Sequence, residues 1–230
     1  MKDKIIEKLE RETEPLVSTV DRDEFISASE TAFDCRFDGT SKFYQWKMPT
    51  KLPKNFKLGV IVGSSGSGKS TLLKKFGVEE QPTWESNKSV ISHFDSPAEG
   101  INRLSSVGFN SIPSWYKPYH VLSNGEKFRA DLARKLKSGA VIDEYTSVVD
   151  RTVAKAASVA LSRYVKNNPI EGVVLSTCHH DIVDWLEPDW VLNTDTGELL
   201  DGFFLSDQKS ISKYIAQTMI VGECLKTITI

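Results

Sequence analysis

The residues Gly63-Ser64-Ser65-Gly66-Ser67-Gly68-Lys69-Ser70-Thr71 directly follow the apolar run Leu58–Val62. Gly63, Gly66 and Gly68 let the backbone wrap an anion without Cβ collisions. Successive N–H groups, those of Ser64, Ser65 and Ser67 included, then point inward, and the helix that follows adds its positive end. Lys69 is placed to reach β- and γ-phosphates, Ser70 to offer its hydroxyl to Mg²⁺, and Thr71 to touch an α-phosphate. Further on, the apolar Ala140–Ile142 runs into Asp143-Glu144. A carboxylate at the end of a buried strand can hold Mg²⁺ through water, and Glu144 can orient or deprotonate an attacking water. Between these lies Leu122-Ser123-Asn124-Gly125-Glu126, at the start of a helical pattern that Ser123 or Asn124 can cap. Cys178-His179-His180-Asp181 follows another apolar run, Val173–Ser176. These are metal-ligand types, but adjacent residues do not easily converge on one tetrahedral ion, and no partner Cys/His cluster exists elsewhere in the sequence.

The elements that must position these groups follow from the pattern. Leu58–Val62, Ala140–Ile142 and Val173–Ser176 are short apolar strands. Ser70–Phe76 (ended by Gly77), Glu126–Lys137 and Val153–Val165 are helices, and Ile182–Leu186 is a helical turn before Pro188. Trp190–Asn193 and Leu199–Phe204 predict a hairpin around Thr196-Gly197. Thr31–Phe37 and Ser41–Met48 predict another around Asp38-Gly39. Ile5–Leu16 has helical spacing, and Ser210–Leu225 predicts a C-terminal helix. The fold class expected is α/β, mainly a parallel sheet with ligand at the carboxyl ends of its strands and a small antiparallel N-terminal β portion. The expected division is a helical extension over 1–30, the main domain over 31–207 and a terminal helix over 208–230.

Composition narrows the class. The 230 residues suit one large domain, and 40% hydrophobic content supplies a core. The formal net charge of -2 shows no basic excess that would advertise nucleic acid. Cys35, Cys178 and Cys224 form no disulfide framework and point to a reducing, cytoplasmic compartment. No apolar run approaches the ~20 residues of a membrane span, so no direct membrane insertion is expected. A guanine-reading motif is missing, since Asn87-Lys88-Ser89-Val90 lacks its Asp.

Together these residues resemble the ATP-binding-cassette (ABC) ATPases, with P-loop NTPase architecture. Arg129 and Ala133-Arg134 match the family's pattern after the Leu122–Glu126 signature. The resemblance implies ATP and Mg²⁺ as ligands and a homodimer that sandwiches two nucleotides. Ser123 and Gly125 of one copy would face the γ-phosphate held by Lys69, Ser70, Asp143 and Glu144 of the other. It implies that Asp150 bridges between protomers and that a switch histidine follows the strand, His179 being favoured over His180 by its spacing to Asp189. An early aromatic should stack on adenine: Phe37 fits the spacing best, with Tyr44 and Trp46 as alternatives.

The chain departs from that pattern in places. The interval from Lys69 to Ser123 is short, so the helical subdomain that docks transporter ATPases on their membrane subunits is shortened. The usual Gln is missing at its expected place; strand-like Ser89–Asp95 fills the slot, with His93 or Asp95 as candidates to face the metal and a surface loop as the plain alternative. Tyr145 stands where the family usually has Pro. The aromatic- and proline-rich 107–120 segment is either compact packing or a docking surface. These features are similar to a soluble bacterial and phage branch associated with acetyltransferase-like domains. The implied activity is ATP hydrolysis that drives a conformational switch for an unidentified protein partner. A DNA-maintenance ATPase is the alternative, and the ATPase subunit of a transporter is a third reading.

Overall fold

In Leu58–Val62 (β4) every residue is buried, because both faces of the strand are covered. The computed structural model describes residues 5–202. In chain order its elements are β1 (Ile5–Lys8), β2 (Leu16–Thr19), α1 (Glu24–Phe33), β3 (Thr40–Phe43), β4, α2 (Lys69–Leu73), α3 (Pro97–Ser106), α4 (Ile112–Trp115), α5 (Asn124–Lys135), β5 (Val141–Ile142), α6 (Arg151–Asn167), β6 (Val173–Thr177), α7 (Ile182–Leu186), β7 (Trp190–Asn193) and β8 (Glu198–Asp201). The main sheet has the order β1-β8-β7-β4-β6-β5, and β2 pairs with β3 in a second, antiparallel ribbon. β7, β4, β6 and β5 run parallel, whereas β8 and β1 extend the sheet antiparallel.

The pleat divides the core into two clusters. Val60, Val62, Ile142, Leu175 and Val191 face one side, where Leu104, Phe109, Trp115, Leu132 and Leu161 from the helical elements cover them. Ile61, Val141, Val174, Trp190 and Leu192 face the other, against Leu72, Leu73, Trp46 and Leu9. Successive strand residues point to opposite faces, so one alternating run serves both clusters. The buried Trp190 indole needs a glycine opposite: a Cβ on Gly59 would lie 2.0 Å from its ring.

Strands at the carboxyl-end chemistry and their following helices fall close to where the sequence places them, except that α2 stops at Leu73 rather than running to Phe76, and the N-terminal part differs. Ile5–Leu16 is not a helix: β1 pairs with β8, and Arg11 bridges Trp46. The unpaired backbone edge of β8 supplies a partner that local helical spacing cannot reveal. The expected 1–30 helical extension is therefore mixed, with a strand of the main sheet at its start. Thr31–Phe33 belongs to α1 rather than to a strand, and β2 takes the place beside β3. Gly39 still turns the chain there, with φ 79°. Ser89–Asp95 is not a strand either; Val90–His93 is a single 3₁₀ turn. The expected helix 210–225 lies outside the described residues. Among the described residues no helix is long and apolar enough to cross a membrane.

Candidate nucleotide site

The phosphate loop is held from beneath and from the side. Gly68, in the left-handed region at φ 98°, stands at the N-cap of α2. Trp46 donates its Nε1–H to the Ser67 carbonyl at 3.1 Å, and the Arg11 guanidinium stacks 3.5 Å from the Trp46 ring. From the end of β7, Thr194 Oγ1 donates to the Val62 carbonyl at 3.0 Å and lies 2.6 Å from Ser67 Oγ. The Asp195 carboxylate accepts from the Ser64 N–H at 3.0 Å and from the Ser64 hydroxyl at 2.6 Å. Lys69 folds over the loop, donating to the carbonyls of Gly63 and Ser64 at 2.9 and 2.7 Å. An ammonium in that position is available to a phosphate that displaces it from those carbonyls.

A cleft of about 360 Å³ opens above this loop, lined by Ser65, Gly66, Gly68, Lys69, Ser70 and Thr71 together with Asp143, Glu144, Ser147, Cys178 and Phe43. The structure thus brings the phosphate loop and the Asp-Glu pair into one cavity. Asp143 is fixed through Oδ1, which accepts from the Glu144 N–H at 2.9 Å and from the Ser176 hydroxyl. The residue itself lines the cleft. Ser70 Oγ and Asp143 are oxygen donors of the kind a hard divalent ion takes. No group of three or more His, Cys, Asp or Glu that could hold a metal occurs among the described residues. A Mg²⁺ here would take most of its ligands from nucleotide and water, as is usual for that ion.

The histidines part company. His179 Nδ1 lies 3.2 Å from Thr146 Oγ1. His180 Nδ1 is buried without a hydrogen-bond partner. Both are pushed below the ordinary imidazole range, first by burial, then by Arg151 at His179 and by Lys69 at His180. Neither ring lines the cleft, although Cys178 just before them does.

Other expected site residues lie apart from this cavity. Ser123 caps α5 in a reciprocal capping box with Glu126: the Ser123 N–H donates to the carboxylate at 2.9 Å and the Glu126 N–H donates to the hydroxyl at 3.4 Å. Gly125 follows in the first turn of α5, with room for a Cβ at ordinary contact distance from Arg129 and Val153. Asp150 caps α6, accepting from the Thr152 and Val153 N–H groups at 2.9 and 3.0 Å. Phe37 lines a separate recess with Arg22, Glu30 and Thr40. Of the early aromatics, Phe43 is the one in the cleft; Trp46 lies under the loop, and Tyr44 is exposed. His93 accepts from the Glu85 N–H at 2.9 Å and packs against Trp84, Asp95 is exposed, and neither lines the cleft.

Phe43, Asp195 and Ser176 were not singled out by sequence reasoning. Only Phe43 carried a signal, as an aromatic on an early strand. Gln81 was also missed. It lines a neighbouring groove of about 570 Å³ that shares Asp143, Glu144 and Ser147 with the cleft.

No protein-family model and no curated protein matches the sequence. Solved structures do. One described as a dimeric post-hydrolysis state of the ATP-binding cassette MJ0796 bound to ADP and Pi matches with a TM-score of 0.50 and 14% identity, over 85% of this chain and 94% of that one. A dimeric structure of MJ0796 described as a bacterial ABC transporter cassette gives 0.50 and 14%, over 81% and 93%. CbiO1 from Clostridium perfringens, part of the cbiONQ ABC transporter complex, gives 0.51 and 18%, over 80% and 93%. The chain has the fold of an ATP-binding-cassette ATPase.

Proposed function

We propose that this protein binds and hydrolyses ATP as a nucleotide-gated switch, two copies closing around two Mg·ATP. The observation that carries the reading is one cleft lined by the phosphate-loop residues Ser65, Gly66 and Gly68–Thr71 and by Asp143 and Glu144. In it, Lys69 and the loop N–H groups would hold the β- and γ-phosphates. Ser70 and Asp143 would hold Mg²⁺, which when bound neutralises charge between those phosphates. Glu144 would orient the attacking water and take its proton. The start of α5, with Ser123 and Gly125 outside this protomer's own cleft, is free to complete the site of a second copy. Asp150 lies near the same end, as the cap of α6. His180 is our choice of γ-phosphate switch, because its buried Nδ1 has no hydrogen-bond partner, whereas His179 Nδ1 lies 3.2 Å from Thr146 Oγ1. Phe43 replaces Phe37 as the aromatic for the base.

We assign a cytoplasmic, non-transport role acting on a protein partner, and place the chain in the branch associated with acetyltransferase-like domains. The stretch from Lys69 to Ser123, whose longest helix is the ten-residue α3, is short for a membrane-subunit dock. The ATPase unit is assigned to 31–207 with β1 as its added edge, and 208–230 as an appended segment.

The test is ATP hydrolysis and sizing of wild type and Glu144→Gln with Mg·ATP, with and without duplex DNA. Turnover by wild type, with the variant trapped as an ATP-dependent dimer, supports the shared-site switch. Stimulation by DNA would replace the protein partner with a nucleic acid. Monomeric, inactive protein under every condition overturns the autonomous-ATPase reading.

A further inference from the structure

The turn that carries Glu144 is held in an unusual backbone. Glu144 has φ 48° and Thr146 has φ 66°, a region that β-branched residues rarely enter. Such conformations persist where the surroundings over-determine them. The residue between them supplies that determination. Tyr145 is 1% exposed, its ring centroid lies 5.6 Å from that of Phe128 on α5, and its hydroxyl lies 3.2 Å from Ser158 Oγ on α6. Its N–H donates to the Ser176 carbonyl at 2.7 Å, and its carbonyl accepts from the Thr177 hydroxyl at 3.0 Å. A proline here would lack both the N–H used on Ser176 and a ring able to reach Phe128.

We propose that Tyr145 is a positioning residue: its buried ring fixes the strained turn that presents Glu144 and ties that turn to α5, the helix whose start bears Ser123 and Gly125. The two halves of one protomer's contribution to a closed dimer then share a single packed joint. The role in turnover rests on the ATPase reading; the role in holding the turn does not.

The experiment compares wild type, Tyr145→Phe, Tyr145→Ala, Phe128→Ala and the double variant by ATPase kinetics, and by amide exchange of residues 143–147 against α6. Tyr145→Phe keeps the ring and should stay within ~3-fold of wild type, whereas Tyr145→Ala should lower kcat by ~10-fold or more with KM nearly unchanged. Phe128→Ala should act in the same direction, and the double variant should be no worse than Tyr145→Ala. Exchange at Glu144 and Tyr145 should accelerate while α6 stays protected. Unchanged kcat in Tyr145→Ala, or exchange accelerated equally throughout β5, β6 and α6, overturns the proposal. If wild type hydrolyses no ATP, the functional reading fails and the exchange pattern alone decides: acceleration confined to the turn upholds the positioning role, and an unchanged turn refutes it.

Discussion

Replacing Gly63 by Ala should close the phosphate loop to nucleotide. A Cβ at this position would lie 2.1 Å from Thr194 Oγ1, 2.9 Å from Ser67 Oγ and 3.4 Å from Asp195 Oδ1. Thr194 is fully buried and cannot swing into solvent. Relief requires loss of its 2.6 Å contact with Ser67, its 3.0 Å bond to the Val62 carbonyl, or both. Overpacking costs about 1–3 kcal/mol and each lost hydrogen bond about 0.5–1.5 kcal/mol. If about 2–3 kcal/mol of this falls on the loop's competent shape, the apparent Kd for ATP rises by about 30–150-fold, because affinity scales with the competent fraction. Titration calorimetry with a slowly hydrolysed ATP analogue measures it. Gly63 also stands at φ 156°, where a side chain is strained, so Gly63→Ala/Thr194→Ala, which removes only the struck hydroxyl, should recover part of the loss, about tenfold relative to Gly63→Ala, a coupling of about 1.4 kcal/mol. Wild-type affinity in Gly63→Ala, or simple additivity in the pair, would refute the idea that the end of β7 buttresses the loop.

Further outcomes are expected from the same geometry. Phe43→Ala should weaken ATP by the ~1–3 kcal/mol of an aromatic stack on a base, about 5–150-fold, while Phe37→Ala leaves binding unchanged in the same titration. Burial lowers the imidazoles of His179 and His180 relative to the unfolded chain, so the unfolded state binds more protons in acid. Stability is therefore complete above the ordinary value of about 6.5 and declines as pH falls below it. The urea midpoint should be lower at pH 5 than at pH 7.5, and His180→Asn should narrow that gap. Asp150→Ala removes a side chain that accepts from two N–H groups at the start of α6. It should cost about 1 kcal/mol and lower Tm by about 2–4 °C, with Asp150→Ser restoring most of the loss.

The parts of the site legible in sequence are those built within a few residues. A phosphate loop is a run of N–H groups ahead of a helix, so glycine spacing and the preceding apolar strand specify it locally. The capping box needs only Ser123 and Glu126, one helical turn apart. β4 and β6 announce themselves because strands buried on both faces read as continuous apolar runs. The Asp143-Glu144 step follows from where β5 must end.

Tertiary structure decided what depends on neighbours. Ile5–Lys8 became a strand because β8 presents an open edge, an influence that outweighs weak helical spacing. Phe43 rather than Phe37 reached the cleft because β3 pairs with β2, while the chain just before Phe37 closes α1. Asp195 reached Ser64 across 131 residues because β7 lies beside β4 in the sheet. His179 met Thr146 while His180 Nδ1 was buried without a partner, because packing sets the orientation of the turn after β6. Local pattern names the groups that can do chemistry; strand order and burial determine which of them meet, because those contacts are repaid only when distant segments pack together.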